Sequence, residues 1–251
     1  MGKIIAVIQH KGGTGKTTTV ANLGAGLAIL GKKTLIIDLD PQANLSLHFG
    51  YIVETDIMQC GDGKMNVKSL IKTTELDKLS IIPSSLSLAD AEIDLVNAVL
   101  REYKLKQIVD PIKSEYDYIL VDTGPNLGLL LWNALTACDS YLIPISADFF
   151  ALAGIFQLNQ IIDQMRIANP TMTSEGILMT RYDKRLKAHK ETLSEVEKGY
   201  GDDLIPVIVP NNTALTQATW EGTSIFSYAP SSTGAKAYRD LAEYIVRRDR
   251  V

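Results

Sequence analysis

Residues 11–18 are all glycines, lysines and threonines, and these residue types together can bind phosphate. Glycines let the backbone bend so that several N–H groups point at one phosphate, and a helix that begins there adds positive potential. In such a loop Lys16 would reach the β- and γ-phosphates, and the Thr17 hydroxyl would bind Mg²⁺. The alternative is a glycine-rich turn with solvated lysines. The predicted nucleotide-binding residues of this phosphate loop are Lys11, Gly12, Gly13, Thr14, Gly15, Lys16, Thr17 and Thr18.

Two aspartates follow the second apolar run of the chain, at residues 34–37. Because side chains alternate along an extended strand, Asp38 and Asp40 lie on the same side and can both face the phosphate loop. A buried strand would deliver them to the carboxyl edge of the sheet, where ligands bind in open α/β folds. The alternative is a pair of solvated aspartates at the start of a loop.

The phosphate loop lies between an apolar, β-branched run at residues 3–9 and helical spacing of apolar residues at 16–30. With the run at 34–37, this pattern predicts a βαβ unit. Further strands are predicted at 79–82, 118–121, 141–143, 176–179 and 206–209, and helices at 86–109, 128–137, 149–168, 191–198 and 234–248. The alternation predicts the α/β class, with a single doubly wound, mostly parallel sheet and helices on both faces. Residues 50–77 are predicted to form a surface loop.

The composition is that of a globular protein, with 251 residues, 46% hydrophobic and 22% charged. No repeat or linker divides the chain, which predicts one domain over residues 1–251. Apolar runs are shorter than the roughly 20 residues of a membrane span, and residues 1–9 lack a secretory signal. Cys60 and Cys138 cannot form a disulfide framework, which favours a reducing cytoplasm. The net charge of −4 means that any nucleic-acid contact needs a local basic patch.

Two positions distinguish this phosphate loop from that of most P-loop proteins, whose pattern is G-x-x-x-x-G-K-[ST]. Position 10 is His10 and position 11 is a lysine. Lys11 resembles the signature lysine of the deviant Walker A box. With the D-L-D-P-Q segment at residues 38–42, the sequence is identified as a member of the ParA/MinD superfamily of P-loop ATPases, closest to its ParA/Soj branch. The resemblance implies an ATP-dependent homodimer in which Lys11 reaches the phosphates bound by the other subunit. That cation would act on the transferring phosphoryl group as an arginine finger does.

The resemblance also implies roles for the carboxylates. Asp40 would position the attacking water, and Asp38 would lie near the water shell of the metal. Residues 118–125 resemble a Walker B strand, whose terminal Asp122 approaches Mg²⁺ through water. The implied enzyme is a slow, partner-stimulated, Mg²⁺-dependent ATPase with ATP and Mg²⁺ as cofactors. Its catalytic set is Lys11, Lys16, Asp38 and Asp40, and its metal set is Thr17, Asp38 and Asp122.

Other segments carry weaker parts of the resemblance. Gly124 stands where the family motif D-T-P-P-x-x-G has its first proline. Glycine restricts the backbone less than proline, so this switch segment is expected to be looser. Pro210 and Asn211 end the last strand, where relatives place the loop that contacts adenine. The segment that begins at Phe149 is expected to lead into a helix at the dimer face.

Proteins of this branch bind DNA without sequence preference when ATP dimerises them, which implies a cytoplasmic, nucleoid-associated location. Such binding neutralises phosphates and weakens with salt. The chain is most basic at residues 181–190 and again near its C-terminus, with Arg239, Arg247, Arg248 and Arg250. The predicted DNA-binding residues are Lys184, Arg185, Lys187 and Arg247. Residues 210–216 lack the arginines of the P-R-N-V-R-L segment found in relatives, which weighs against DNA binding.

The implied function is positioning or segregation of a cargo, which is a plasmid, a chromosome or a protein body. A ParB-like or other small adaptor would stimulate hydrolysis, and no membrane is expected. One alternative is a MinD-like, membrane-associated regulator of the division site, which needs an amphipathic C-terminal helix, whereas residues 247–251 end in charge. Another is a reductase-like or metal-cluster carrier, which needs paired cysteines, and Cys60 and Cys138 are not so spaced.

Overall fold

One mixed β-sheet forms the centre of the protein. The computed structural model describes residues 2–62, 65–148 and 151–249, and in these ranges eight strands pair in the order β3-β4-β2-β5-β1-β6-β7-β8. Every pairing is parallel except the antiparallel pair of β3 and β4. The strands are β1 Lys3–Val7, β2 Thr34–Leu39, β3 Lys72–Thr73, β4 Leu79–Ile82, β5 Tyr118–Thr123, β6 Ser140–Ser146, β7 Thr173–Tyr182 and β8 Leu204–Pro210.

Helices connect the parallel strands, as parallel pairing requires. They are α1 Lys16–Ile29, α2 Asn44–His48, α3 Ser87–Leu95, α4 Lys104–Lys113, α5 Leu129–Ala137, α6 Ala151–Met165, α7 Lys187–Tyr200, α8 Thr213–Trp220, α9 Ile225–Tyr228 and α10 Thr233–Arg248. Short 3₁₀ turns occur at Ile57–Asp62, Val67–Leu70, Arg101–Tyr103 and Gly201–Asp203.

Two hydrophobic clusters fill the two faces of the sheet. In β1, Ile4 and Ala6 belong to one cluster, and Ile5 and Val7 belong to the other, because strand side chains alternate between faces. Buried residues of α4, α5 and α6 complete the first cluster, whereas those of α1, α8 and α10 complete the second. The predicted doubly wound α/β fold is therefore confirmed.

The prediction of one helix over residues 86–109 is wrong. The structure has α3 and α4 instead, separated by residues 96–103. Leu100 adopts a left-handed backbone with φ 54°, which is incompatible with a continuing right-handed helix. The Arg101 guanidinium donates a hydrogen bond of 2.7 Å to the Val96 carbonyl near the end of α3. Apolar spacing continued across this break, so periodicity alone did not reveal it.

The described parts of residues 50–77, which are 50–62 and 65–77, are more ordered and more buried than the surface loop that their glycines suggested. Ile57, Cys60 and Leu70 are buried in the core cluster that also contains α4, and Lys72–Thr73 adds an edge strand. Apolar residues in 3₁₀ turns follow neither the helical nor the strand period, so the sequence pattern did not show that these residues are buried.

The remaining predicted elements occur with shifted ends. The predicted helix at 149–168 is observed as α6 from Ala151, and Phe149 and Phe150 lie outside the described residues. Helix α7 is longer than the predicted 191–198. The short helices α2, α8 and α9 were not predicted.

Candidate functional site

The strand order brings the sequence-predicted carboxylates to the phosphate loop. Strand β5 lies between β1 and β2, and its Asp122 is in register with Asp38 of β2 and with Val7 of β1. Paired residues of neighbouring strands project from the same face of the sheet. Asp38 and Asp122 therefore lie side by side at the carboxyl edge, directly after which β1 continues into the phosphate loop.

The phosphate loop bends at two glycines and leads into α1. Gly13 and Gly15 have φ of 76° and 85°, a region that side chains with a Cβ atom rarely occupy. Helix α1 begins at Lys16, so the first backbone N–H groups of the helix lack intrahelical partners and can bind an anion. Thr14 and Lys16 are buried, and the first turn of α1 contains no acidic residue.

Lys16 is a buried cation beside carboxylates. Burial lowers its pKa, and the charges of Asp122 and Asp40 oppose that effect. The ammonium group is thus taken out of water and held by negative charges.

Asp122 is fully buried, and neither of its carboxylate oxygens accepts a well-formed hydrogen bond from the described residues. Burial raises its pKa well above the usual range, and the Asp38 charge adds to this effect, whereas the Thr17 hydroxyl and Lys16 lower it. A buried carboxylate is costly unless a proton or a cation balances it. Mg²⁺ is usually bound by one or two carboxylates together with phosphate oxygens and water. The oxygen donors of Asp122 and Thr17 therefore fit Mg²⁺.

Asp38 and Asp40 are held differently although both are buried. Asp38 accepts hydrogen bonds from the Ser46 backbone N–H at 2.8 Å and the Ser46 hydroxyl at 2.6 Å. Burial raises the pKa of Asp38 to about 6 despite these bonds. Asp40 accepts a 3.0 Å bond from the Gln42 N–H, and a Cβ at Gly124 would lie 3.2 Å from its Oδ1. Sequence reasoning missed Ser46, because no motif surrounds it, and missed the packing of Gly124 against Asp40.

Lys11 lies at the mouth of the site in an ion pair. Its Nζ is 2.6 Å from Asp148 Oδ1, and both side chains are more than one-third exposed. Ser146 donates a hydrogen bond from its hydroxyl to the other Asp148 oxygen. A cavity of about 420 Å³ opens beside this pair, and its lining includes Gly12, Gly13, Arg181, His189 and Asn211.

Pro210 and Asn211, predicted near adenine, lie at the end of β8. The Asn211 N–H donates a 2.9 Å bond to the Tyr182 carbonyl, which ties this segment to the end of β7. Asn211 also lines the cavity that contains Lys11 and Gly12. The structure thus places Asn211 next to the phosphate loop.

The two basic segments of the sequence meet at a second surface. Lys184, Arg185 and Arg247 line an open groove of about 790 Å³ between β8, α10 and the loop after β7, whereas Lys187 does not line it. Asp183 lies 2.6 Å from Arg185. Arg247 and Lys187 pair with Glu243 and Glu191 at 3.8 Å and 3.4 Å. Arg250 lies outside the described residues.

The C-terminal helix is packed onto the domain. Ala237, Leu241 and Ile245 of α10 are buried in the cluster that contains α1, so the apolar stripe faces the core. Within the described ranges, no helix combines the length and the apolar character needed to cross a bilayer.

Comparison with known proteins identifies the family. A family described as AAA domain matches residues 2–174. The sporulation initiation inhibitor protein Soj of Bacillus subtilis is 41% identical over 250 residues, covering 98% of both chains. The chromosome partitioning protein ParA of Myxococcus xanthus is 37% identical over 253 residues, covering 99% of this chain and 89% of that protein. The chain belongs to the ParA/MinD superfamily.

Within this superfamily of ATPases, the chain falls in the ParA/Soj branch that its sequence resembles. Among solved structures, cobyrinic acid a,c-diamide synthase from Mycobacterium smegmatis with bound ADP and magnesium superposes with a TM-score of 0.85. It is 29% identical, and the match covers 100% of this chain and 96% of that one. The ParA-type fold thus accommodates an adenine nucleotide and magnesium in a similar protein.

In this ParA-type chain, the predicted site residues form two groups. The phosphate loop, Asp38, Asp40 and Asp122 gather at the carboxyl edge of β1, β2 and β5, and Lys11 and Asn211 lie at the rim. Lys184, Arg185 and Arg247 gather at the groove along α10. Lys187 belongs to neither group.

Proposed function

We propose that this chain is an ATPase that forms an ATP-sandwich homodimer, binds DNA without sequence preference and positions a cargo by adaptor-stimulated hydrolysis. The cargo is a plasmid, a chromosome or a protein body, and the location is the cytoplasm, on the nucleoid. The observation that carries the proposal is the register of Asp38 with Asp122 beside the phosphate loop and Lys16. The relatives named Soj and ParA support the same assignment.

Nucleotide binding would rest on the phosphate loop. The backbone N–H groups at the start of α1 would contact the β-phosphate, and Lys16 would bind the β- and γ-phosphates as a buried cation. Thr17 would hold Mg²⁺ directly, and Asp122 and Asp38 would hold it through water. Bound Mg²⁺ would neutralise phosphate charge.

Hydrolysis would need an oriented water and an added cation. Asp40 keeps one carboxylate edge in a hydrogen bond with the Gln42 N–H, and its other oxygen would accept a hydrogen bond from the attacking water. Lys11 of each protomer would contact the phosphates bound by the other protomer. Because Lys11 pairs with Asp148 at 2.6 Å, dimerisation would have to break that ion pair. Dimerisation would therefore compete with a local electrostatic contact.

DNA binding would use the groove that contains Lys184, Arg185 and Arg247. The whole chain has a net charge of −4, so attraction to DNA would depend on these few cations. Each of two copies in a dimer would contribute one groove, which would raise the effective affinity. Nucleotide-dependent dimerisation would thus control DNA binding.

The MinD-like alternative requires an apolar helix face that is free to enter a membrane. The described part of α10 packs its apolar residues against the cluster that contains α1, and its exposed side carries Lys236, Arg239 and Arg247. The observations therefore favour DNA over a membrane as the surface that the dimer binds.

The test combines phosphate release with light scattering in Mg²⁺ and ATP. The unaltered protein is expected to form a dimer with ATP and to release phosphate slowly. Asp40→Ala is expected to dimerise with ATP and to lose at least about 100-fold in turnover, since removal of a water-positioning carboxylate removes general base catalysis. The control is Asp110→Ala, because Asp110 is an exposed aspartate of α4 paired only with Lys106 among the described residues.

Normal turnover in Asp40→Ala would remove Asp40 from the mechanism. Absence of ATP-dependent dimerisation in the unaltered protein would contradict the sandwich dimer. An ATPase whose rate is independent of both DNA and any adaptor encoded nearby would contradict the positioning function and leave the nucleotide site intact.

A further inference from the structure

Two consecutive residues at the end of β7 hold the phosphate loop from behind. The Thr180 hydroxyl lies 2.8 Å from the Thr14 carbonyl oxygen and 3.0 Å from the Ile145 carbonyl oxygen, and it is buried. The Arg181 guanidinium donates a 2.9 Å hydrogen bond from Nη1 to the Gly13 carbonyl. Two adjacent carbonyls of the loop are therefore bound by two adjacent side chains of one strand.

Regular strand geometry would not allow this arrangement. Successive side chains of a strand point to opposite faces, so Thr180 and Arg181 should diverge. Arg181 instead has a left-handed backbone with φ 51°, and the pairing of β7 with β8 is irregular between Met179 and Tyr182. Such irregularities re-aim side chains, and strained non-glycine backbones concentrate at functional sites. Here the irregularity turns Arg181 toward the same loop that Thr180 contacts.

Fixing these carbonyls also fixes two N–H groups. In a trans peptide the C=O and N–H bonds lie in one plane and point in opposite directions. The Gly13 carbonyl shares its peptide with the Thr14 N–H, and the Thr14 carbonyl shares its peptide with the Gly15 N–H. When Arg181 and Thr180 hold the carbonyls on one side of the loop, the two N–H groups point to its opposite side.

We propose that Thr180 and Arg181 form a clamp that orients the Thr14 and Gly15 N–H groups for a nucleotide phosphate. This proposal rests on the proposed function, because it assigns regulation of affinity to the same phosphate loop. Both are positioning residues, since they act through the loop backbone. The clamp raises the affinity for nucleotide by ordering the phosphate loop before the nucleotide binds.

The size of the effect follows from the bonds involved. Loss of one hydrogen bond from the loop costs about a factor of three to ten in affinity. Loss of both is expected to exceed either single loss, because either bond alone still restrains the loop. Loss of the Arg181 bond should affect nucleotide binding more than it affects folding, since Arg181 is exposed.

The experiment is calorimetric titration of the full chain with Mg²⁺ and ADP. Thr180→Val keeps the side-chain shape without the hydroxyl, and Arg181→Met keeps the length without the donors. Each is expected to bind ADP about three- to tenfold more weakly, and Thr180→Ser is expected to bind within twofold of the unaltered protein. The control is Arg166→Met, because Arg166 is an exposed arginine directly after α6.

A second measurement separates positioning from a general loss of structure. Amide hydrogen exchange of Thr14 and Gly15 without nucleotide is expected to quicken in Thr180→Val and Arg181→Met, while exchange in β1 and β5 stays unchanged. Thr180→Ser is expected to restore slow exchange. Equal quickening throughout the sheet would overturn the clamp.

Two outcomes distinguish this proposal from the proposed function. If both variants bind ADP like an unaltered protein that hydrolyses ATP, the clamp is wrong and the ATPase assignment stands. If the unaltered protein binds neither ADP nor ATP, the proposed function itself fails. A weakening in Arg181→Met that disappears at high salt, with no effect of Thr180→Val, would also overturn the clamp, because it would indicate long-range charge attraction.

Discussion

The nucleotide edge and the basic groove both gather charged side chains, but they do so in opposite environments. At the nucleotide edge, Lys16, Asp38 and Asp122 are at most 7% exposed. Asp38 and Asp122 are paired on neighbouring strands, and Lys16 begins the helix that follows the phosphate loop. At the groove, the Arg185 side chain is 83% exposed and pairs with Asp183, two residues away. The charges of the nucleotide edge come from distant segments that the fold brings together, whereas the Arg185 charge is neutralised by a neighbour in the sequence.

Solvent explains what this difference means. Buried charges interact strongly because little water screens them, and the raised pKa values of Asp38 and Asp122 reflect that environment. Exposed charges are screened by water and salt, so each contributes little alone. Single substitutions should therefore have large effects at the nucleotide edge and small, salt-sensitive effects at the groove.

The strongest test of this comparison is Lys16→Ala. Removal of a buried cation leaves Asp122 uncompensated and removes a phosphate contact, so ATP affinity is expected to fall at least about 30-fold. Calorimetric titration with ATP would measure the loss. The matched control is Lys198→Ala, because Lys198 is an exposed lysine of α7 and should have no effect. Equal affinities of the two variants would contradict the assignment of the buried edge to phosphate.

Lys11→Ala tests a partly exposed lysine at the edge of the nucleotide site. ATP-dependent dimerisation is expected to be lost in light scattering, because Lys11 is proposed to act across the dimer. Nucleotide binding by the monomer is expected to change less than threefold, since Lys11 is paired with Asp148 in the free chain. Unchanged dimerisation would refute the role of Lys11 between subunits.

Asp148→Asn should act in the opposite direction at the same ion pair. Neutralising Asp148 weakens its ion pair with Lys11, and an exposed pair of this kind is worth up to about fivefold in an equilibrium constant. ATP-dependent dimerisation is therefore expected at up to fivefold lower protein concentration. The shift should shrink at high salt, because salt already weakens the pair. A dimer that forms only at higher concentration would show that Asp148 supports the dimer instead of opposing it.

The smallest effects are expected at the groove. Arg185→Ala is expected to weaken ATP-dependent binding to random duplex DNA severalfold. The slope of the logarithm of the binding constant against the logarithm of the salt concentration is expected to become shallower by about 0.9 for each DNA phosphate that the variant no longer neutralises. Binding at two salt concentrations would measure both. Lys187→Ala is the comparison, because Lys187 carries the same charge and does not line the groove. Equal losses in the two variants, or binding that ignores ATP, would contradict the groove.

Local sequence was enough to place the candidate nucleotide-site residues at the ends of strands. The phosphate loop follows the apolar strand β1, and Asp38 and Asp122 lie near the ends of the apolar strands β2 and β5. The apolar runs in the sequence therefore placed them at strand ends. The same local rules failed at residues 86–109, where a left-handed Leu100 interrupts regular apolar spacing. They also failed at residues 50–77, where 3₁₀ turns bury side chains without a regular period.

Contacts between distant segments were decided only by the tertiary structure. The insertion of β5 between β1 and β2 places Asp122 beside Asp38, and no local pattern contains that strand order. No local pattern contains the hydrogen bond from Ser46 to Asp38 or the ion pair between Asp148 and Lys11. The same is true of the hydrogen bonds from Thr180 and Arg181 to the phosphate loop. The sequence by itself determines which chemical groups are present and how they are spaced along the chain, because a motif such as the phosphate loop consists of consecutive residues. Burial, pairing and direction depend on which strands pack together, so the fold determines how strongly those groups act.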